Sequence, residues 1–227
     1  MVQKIDPVEF FRPKPDESCV CGSKKIFSLC CGGNDPDRDP PKGMLLQRGF
    51  LPEPACNKLI SYAIKKESEA LKVKEINQKG GISEVEDSLR VAEKITLNEK
   101  QKVIDKWVKD IFLKFVNKKF KKKIKSIEAA QLMRYSRGGF YKQHSDSEFF
   151  NPELQEWQRI LDRDYSLLLY LNDDFEGGCV HFTHFNYTFK PQKGDLLIFP
   201  SHHLYLHEAQ EVTSGLRYVI VSWATVK

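Results

Sequence analysis

Long apolar runs are missing from this 227-residue sequence. None approaches the ~18 consecutive apolar residues that a membrane-spanning helix needs, so no helical membrane anchor is expected. An apolar leader is missing as well. Residues 1–15 mix charge with proline and lack the apolar centre of a secretory signal peptide, which gives the expectation of a soluble, cytoplasmic protein. Cysteine is scarce over most of the chain: of six, only Cys56 and Cys179 fall outside the stretch Cys19–Cys31. Secreted disulfide domains spread their cysteines along the sequence, so this crowding points to thiolate metal ligands instead. Cys56 and Cys179 read as ordinary buried or half-buried thiols. Strong charge of one sign is absent too. With 36 basic and 31 acidic residues, the net charge of +5 permits an anionic partner without demanding one.

What is present suits a globular protein. Apolar residues make up 41% and charged residues 30%, enough for a core under a well-solvated surface. The length fits one medium domain plus a small appendage. The breaker-rich stretch Gly32-Gly33-Asn34-Asp35-Pro36 through Asp39-Pro40-Pro41 cannot continue a helix or a central strand, so it reads as a linker. This divides the chain into residues 1–42 and 43–227. In the second part, Met44–Phe50 reads as a short strand. Pro52-Glu53-Pro54 opens a helix carrying Leu59, Ile60, Ala63 and Ile64, continued by Ala70 and Leu71, and Gly80-Gly81 breaks the chain. A second helix is expected over roughly 97–116, with Val103, Ile104, Trp107, Val108, Ile111, Phe112 and Phe115 on one apolar face. From Ser126 the texture is that of strands: Ile127–Tyr135, Tyr165–Leu171, Val180–Phe189, Leu196–Phe199, Tyr205–Ala209 and Leu216–Trp223. The expected fold is α+β, with helical support over 43–125 and a jelly-roll core over 126–227.

Within that core, His144-Ser145-Asp146 places an imidazole and a carboxylate two residues apart. In an extended segment both point to one face, where they can share a metal. A third ligand must come from further along, where His202, His203 and His207 compete. Two histidines and one carboxylate leave half of an octahedral ion open, which suits Fe(II) enzymes that bind cosubstrate and O2. A bare H-x-D is common by chance, but its surroundings are specific. Tyr135-Ser136-Arg137-Gly138 before His144-Ser145-Asp146, then Tyr170-Leu171-Asn172-Asp173-Asp174-Phe175-Glu176-Gly177-Gly178, Gly194-Asp195-Leu196-Leu197-Ile198-Phe199 and His207 through Val212, Gly215, Arg217 and Tyr218 follow in order. Residues 126–227 thereby resemble the prolyl 4-hydroxylase-like branch of the Fe(II)/2-oxoglutarate oxygenases. The resemblance implies a double-stranded β-helix. It implies His144, Asp146 and His207 as iron ligands, and Arg217, ten residues past His207, as partner of the far carboxylate of 2-oxoglutarate. An arginine suits that task, because its planar fork binds a carboxylate bidentately. Tyr135 would donate to the cosubstrate; a core tyrosine is the other reading. Trp223 would stand near the barrel mouth; core packing is the other reading. Where many relatives carry Glu after the Gly-Gly turn this chain has Cys179, and His181 and His184 read as strand or substrate-side residues.

The amino-terminal thiols Cys19, Cys21, Cys30 and Cys31 form two close pairs, as a tetrahedral Zn2+ site requires. Gly22-Ser23-Lys24-Lys25 would make the turn, with Phe27 and Leu29 covering the metal. The segment Cys19–Gly32 resembles the SEC-C zinc motif at the tail of the preprotein-translocase motor ATPase. So small a knuckle has no core of its own and would fold on its metal; a docking role for a protein partner follows. The lysine run Lys118–Lys125 reads as a solvated helix end complementing the helix dipole before it reads as a contact for nucleic acid or a ribosome.

Together these readings imply a dioxygenase hydroxylating a protein side chain, most plausibly a prolyl residue. Its cofactors would be Fe(II), 2-oxoglutarate, O2 and Zn2+, with ascorbate as an accessory reductant. Two rivals use the same residues: an oxygenase for a free amino acid, small metabolite or nucleobase, and an inactive zinc-containing docking protein.

Overall fold

The computed structural model describes residues 13–20, 23–32, 39–71, 73–76, 82–85 and 89–227; for 73–76 and 82–85 it describes the backbone alone. Two antiparallel sheets dominate. The major sheet runs Leu45–Gln47, Leu196–Pro200, Tyr165–Tyr170, Arg217–Val226, Gln131–Tyr135, Glu93–Ile95 and Ser68–Ala70, with Ile124–Ile127 also pairing onto Arg217–Val226. The minor sheet runs Tyr187–Phe189, Val180–Phe182, His207–Ala209, Phe140–His144 and Arg90–Val91. This two-sheet antiparallel architecture is the expected jelly roll.

Side-chain alternation explains how the layers stack. Along Arg217–Val226, Tyr218, Ile220 and Ala224 join the buried cluster on the helical side. Val219 and Val221 join the other cluster, with Tyr170, Phe182, Phe189 and Phe199 from both sheets. Successive residues of a strand face opposite ways, so this strand is buried on both faces. Helix α1, Glu53–Ala63, sends Cys56, Leu59 and Ala63 inward, and α2, Gln101–Phe112, sends Ile104, Val108, Ile111 and Phe112. Both cover the outer face of the major sheet. A wider π-type turn, Leu113–Asn117, follows α2 and buries Phe115 and Val116.

Several expectations needed correction. The first helix stops at Ala63, and Ser68–Ala70 is a strand, because Lys65-Lys66-Glu67 breaks the apolar stripe and the Leu71 amide is bound to Ala92 O. Val103 and Trp107 of α2 face outward, at 46% and 40% exposure, rather than into the core. The support region is not purely helical, since it lends Leu45–Gln47, Ser68–Ala70 and Glu93–Ile95 to the major sheet and Arg90–Val91 to the minor one. The expected strands 127–135 and 180–189 are each divided, the second by a turn at Thr183–Phe185 with Asn186 left-handed. Gly80-Gly81 lies outside the described residues.

Two motif residues have structural roles. Asp195, fully buried, accepts from Arg48 Nη1 (2.5 Å), the Gln192 amide (2.8 Å) and the Gly49 amide (3.2 Å), pinning the first strand to the core. Gly194 beside it has φ +81°, and a Cβ there would stand 2.2 Å from Leu51 O. Only glycine fits. Asn172 ties the turn after Tyr165–Tyr170 to the last strand: it donates to Asp174 Oδ1 and Leu216 O (both 2.6 Å) and accepts from the Tyr218 amide (2.8 Å).

Candidate active site

Two neighbouring strands of the minor sheet set the centre. Phe140–His144 and His207–Ala209 pair with His144 directly opposite His207. Residues so placed hold their side chains close on one face, and the two imidazoles stand 4.3 Å apart between ring centres. Asp146 follows two residues after His144, and its carboxylate reaches both rings: Oδ1 lies 3.6 Å from His144 Nε2, and Oδ2 lies 3.8 Å from His207 Nε2. Thus one ligand atom from each of the three lies within 4.8 Å of the others.

The remaining atoms hold these groups in place. Each imidazole is turned by a backbone carbonyl at Nδ1, Lys142 O for His144 (2.8 Å) and Tyr205 O for His207 (3.0 Å). Nε2 is thereby left facing the centre in both. Ser166 donates to Asp146 Oδ2 at 2.6 Å and contacts Ser201 Oγ at 2.8 Å. Burial opposes ionisation of Asp146. Hydrogen bonding from His144 and Ser166, with the neighbouring imidazoles, outweighs it and holds the carboxyl well below the usual carboxylate range. Burial, reinforced by His144, pushes His207 down to about 4 against the pull of Asp146. At neutral pH the site therefore offers a carboxylate and a neutral His207 imidazole, the forms a metal accepts.

His202 and His203 stand elsewhere. His203 Nδ1 meets Glu148 Oε2 at 2.6 Å and its ring stacks on Trp157, while His202 lies edge-on to Tyr205. His207 alone of the three joins His144 and Asp146. His181 Nδ1 meets Thr188 Oγ1 at 2.9 Å, and His184 is wholly buried near Leu204 O.

Arg217 is 2% exposed, and Nη1 donates to Gly178 O at 2.6 Å. Its guanidinium lies 4.0 Å over the ring of Tyr135, its cross-strand neighbour. Among the described residues no carboxylate pairs with it, and Nε is buried without a hydrogen-bond partner. A buried cation in this state calls for an anion, which is the fit that a dicarboxylate cosubstrate supplies. Trp223 lies beneath the Arg163 guanidinium (3.7 Å), and Arg163 also donates to Asp146 O (3.3 Å) and pairs with Glu128 (2.5 Å). Tyr141 stacks on His144 with ring centres 3.5 Å apart. Sequence reasoning missed Ser166, Tyr141 and Arg163. Only Ser166 left a signal, as the polar residue within the apolar strand Tyr165–Tyr170.

Residues 130–225, which hold all of this geometry, match the family model of the 2OG-Fe(II) oxygenase superfamily. That segment is similar to a 2OG-Fe(II) oxygenase domain. Human prolyl 3-hydroxylase 2 is 37% identical over 92 residues, 37% of this chain and 13% of that protein. A PKHD-type hydroxylase of Rippkaea orientalis is 32% identical over 101 residues, 44% of this chain and 43% of that one. The chain thus spans less than half the length of these two curated relatives. Among solved structures, the viral collagen prolyl hydroxylase of Paramecium bursaria Chlorella virus-1, a 2OG complex, aligns with TM-score 0.57 at 22% identity, over 82% of this chain and 97% of that one. The likeness is one of fold. His144, Asp146, His207 and Arg217 all lie within the matched segment.

Among the described residues at the amino terminus, thiol atoms of Cys19, Cys30 and Cys31 also lie within 4.8 Å of one another. Cys21 lies outside the described residues. An antiparallel bridge, Ser18 to Ile26, and a turn at Phe27–Leu29 bring them together. Phe27 is 4% exposed, but Leu29 is 74% exposed, so it does not cover the thiols as expected. Cys19, Phe27 and Cys31 belong to the same buried cluster as Met44, Phe185 and Tyr187 of the barrel. No helix among the described residues is long and apolar enough to cross a membrane.

Removing the Ser166 hydroxyl tests how far the oxygenase site depends on its support. Ser166→Ala leaves Asp146 Oδ2 without its shortest hydrogen bond. Fe(II) affinity should fall about 10- to 100-fold, the usual effect of losing a group that orients a ligand. Anaerobic titration with Fe(II) measures it, and unchanged affinity would show that the two imidazoles alone hold the carboxylate.

Proposed function

We propose that this chain is an Fe(II)- and 2-oxoglutarate-dependent dioxygenase that hydroxylates a protein side chain, with a prolyl residue as target. The observation that carries the reading is the pairing of two incomplete sites on one barrel: three converging metal ligands and a buried, unpaired guanidinium. His144, Asp146 and His207 would hold iron, and Arg217 would hold the far carboxylate of 2-oxoglutarate. Bound iron and cosubstrate supply the oxidising chemistry. The chain's own residues bind, orient and exclude water. Arg217 fixes the cosubstrate by a charge-assisted fork, and Tyr135 presents its ring face beneath that fork. Tyr141, stacked on His144 with Arg90 over its ring, and Trp223, capped by Arg163, would border the target residue. The relatives named for prolyl hydroxylation support the target.

We read residues 43–227 as the catalytic unit and residues 1–42 as a zinc knuckle and linker. Cys19, Cys30 and Cys31 would hold Zn2+ with Cys21, and exposed Leu29 offers an apolar tip for recruiting the protein substrate. Purified protein should contain equimolar zinc, and Cys31→Ser should reduce it to background by elemental analysis; full retention in the variant would remove the thiols from the site. The oxygenase reading is tested by supplying Fe(II), 2-oxoglutarate and ascorbate with proline-containing peptides. Succinate should form, and peptide mass should rise by one oxygen atom. Succinate without any modified peptide would favour a small-molecule substrate.

A further inference from the structure

The structure changes the reading of the lysine run. A cation at a helix end earns its place by satisfying the last carbonyls or the dipole. Here two of those carbonyls are already occupied by backbone: the amides of Lys119 and Phe120 bond to Phe115 O, and that of Lys122 to Val116 O. Phe120 stacks on Tyr165, with ring centres 5.3 Å apart at 12°, and this pins the segment to the barrel. The lysines project from an anchored scaffold rather than from a fraying end.

Five of the six lack an internal counter-charge among the described residues. Lys118, Lys119, Lys121, Lys122 and Lys123 are exposed and enter no ion pair among the described residues; Lys125 reaches Asp162 at 3.3 Å. No Asp or Glu occurs from Ile111 to Ile127. Helix α2 extends the same character. Lys102, Lys106 and Lys109 recur at helical spacing on its exposed side, likewise without ion pairs. Beside them runs a second stripe, Val103, Trp107, Asp110 and Lys114. Trp107 is 40% exposed and borders an open groove of about 230 Å3 lined by apolar residues such as Phe50, Leu169 and Ile220, with Asp110 and Lys114 as its charged lining. An indole at the lip of an apolar groove, flanked by unpaired ammonium groups, is unfavourable in isolation: the apolar surface stays wet and the cations repel one another.

We propose that this face, on the helical side of the barrel, binds single-stranded nucleic acid. Phosphates would neutralise the lysines, and a base would stack on Trp107. The chemistry favours this partner over an acidic protein in two respects. Lysine is a flexible point charge suited to a phosphate chain, and no arginine, the better fork for carboxylates, occurs from Gln101 to Lys125. Trp107 offers a stacking platform that every base can use and an acidic peptide cannot. Recognition would be led by phosphate and indifferent to sequence.

The test uses the full chain and a fluorescein-labelled oligouridine of about 20 nucleotides. Binding should weaken steeply between about 50 and 200 mM salt, since each phosphate contact adds about 0.7 to the logarithmic slope for single strands. Changing Lys118, Lys119, Lys121, Lys122 and Lys123 together to Gln should weaken binding at least about 100-fold and flatten that slope. Trp107→Ala should weaken it about fivefold or more and abolish most of the tryptophan quenching. All six positions are exposed, and circular dichroism checks that the variants stay folded. Unaltered binding in the lysine variant would overturn the proposal. So would equal competition by poly-L-glutamate at matched charge, which would mark a surface for acidic proteins, or equal affinity for the A–U duplex. Iron and 2-oxoglutarate take no part in the assay, so its outcome is independent of the oxygenase reading.

Discussion

His207→Ala should abolish Fe(II) binding and succinate formation, the largest effect expected of any single change. His207 is 6% exposed, its Nδ1 is held by Tyr205 O, and its Nε2 faces Asp146. Alanine removes one of three ligands from a site that has no spare. Affinity for Fe(II), or for Co(II) as a spectroscopic probe, should fall by more than the roughly 100-fold seen when merely a supporting group is lost. The nearby histidines do not compensate. His203 is engaged by Glu148 and stacked on Trp157, and His202 lies against Tyr205. His203→Ala should accordingly keep near-normal metal affinity. The reverse outcome, activity surviving in His207→Ala and lost in His203→Ala, would move the third ligand. The His207 ring also packs against Phe182 and Phe199, so a circular dichroism melt checks that the variant stays folded.

The second large effect concerns Arg217. With 2-oxoglutarate bound, the guanidinium would form a buried ion pair, and removing one member of such a pair costs about 3–5 kcal/mol. Arg217→Ala should therefore raise the KM for 2-oxoglutarate by two orders of magnitude or more, with a much smaller change in kcat at saturation. Arg217→Lys should fall between, because an ammonium keeps the charge but loses the fork. Without cosubstrate the sign reverses. The wild-type chain then carries a buried cation with Nε unsatisfied, so the alanine variant should melt no lower. Addition of 2-oxoglutarate should raise the Tm of the wild type and leave that of the variant unmoved. An equal cosubstrate requirement in both proteins would remove Arg217 from the site.

Much of this centre could be read from the sequence because its chemistry depends on short spacing. His144 and Asp146 are two apart, and His207 precedes Gly215-x-Arg217 at a fixed interval. Gly194-Asp195 and Asn172 were recognisable as motifs, though only the structure shows that they brace turns. What escaped was set by partners distant in sequence. Glu93–Ile95 is a strand because Gln131–Tyr135 offers it an edge, and Ser68–Ala70 pairs in turn onto Glu93–Ile95; their own residues show no apolar alternation. The outward turn of Trp107 could not be told from the helical stripe, which is equally periodic whether a residue faces the sheet or the groove. Tyr141 and Arg163 acquire meaning only from what they lie upon, His144 and Trp223.

The facing of His144 and His207 across one ladder has a mechanical consequence. A metal ion held by both would act as a rivet between adjacent strands, shortening the distance over which the minor sheet can peel. Those strands are brief, three residues at His207–Ala209 and five at Phe140–His144, so their mutual grip comes from few backbone bonds. Loading the ion should slow amide exchange along this seam and leave the major sheet, sealed on both faces, as it was. The same bond that prepares the chemistry would decide whether the wall around it stays shut.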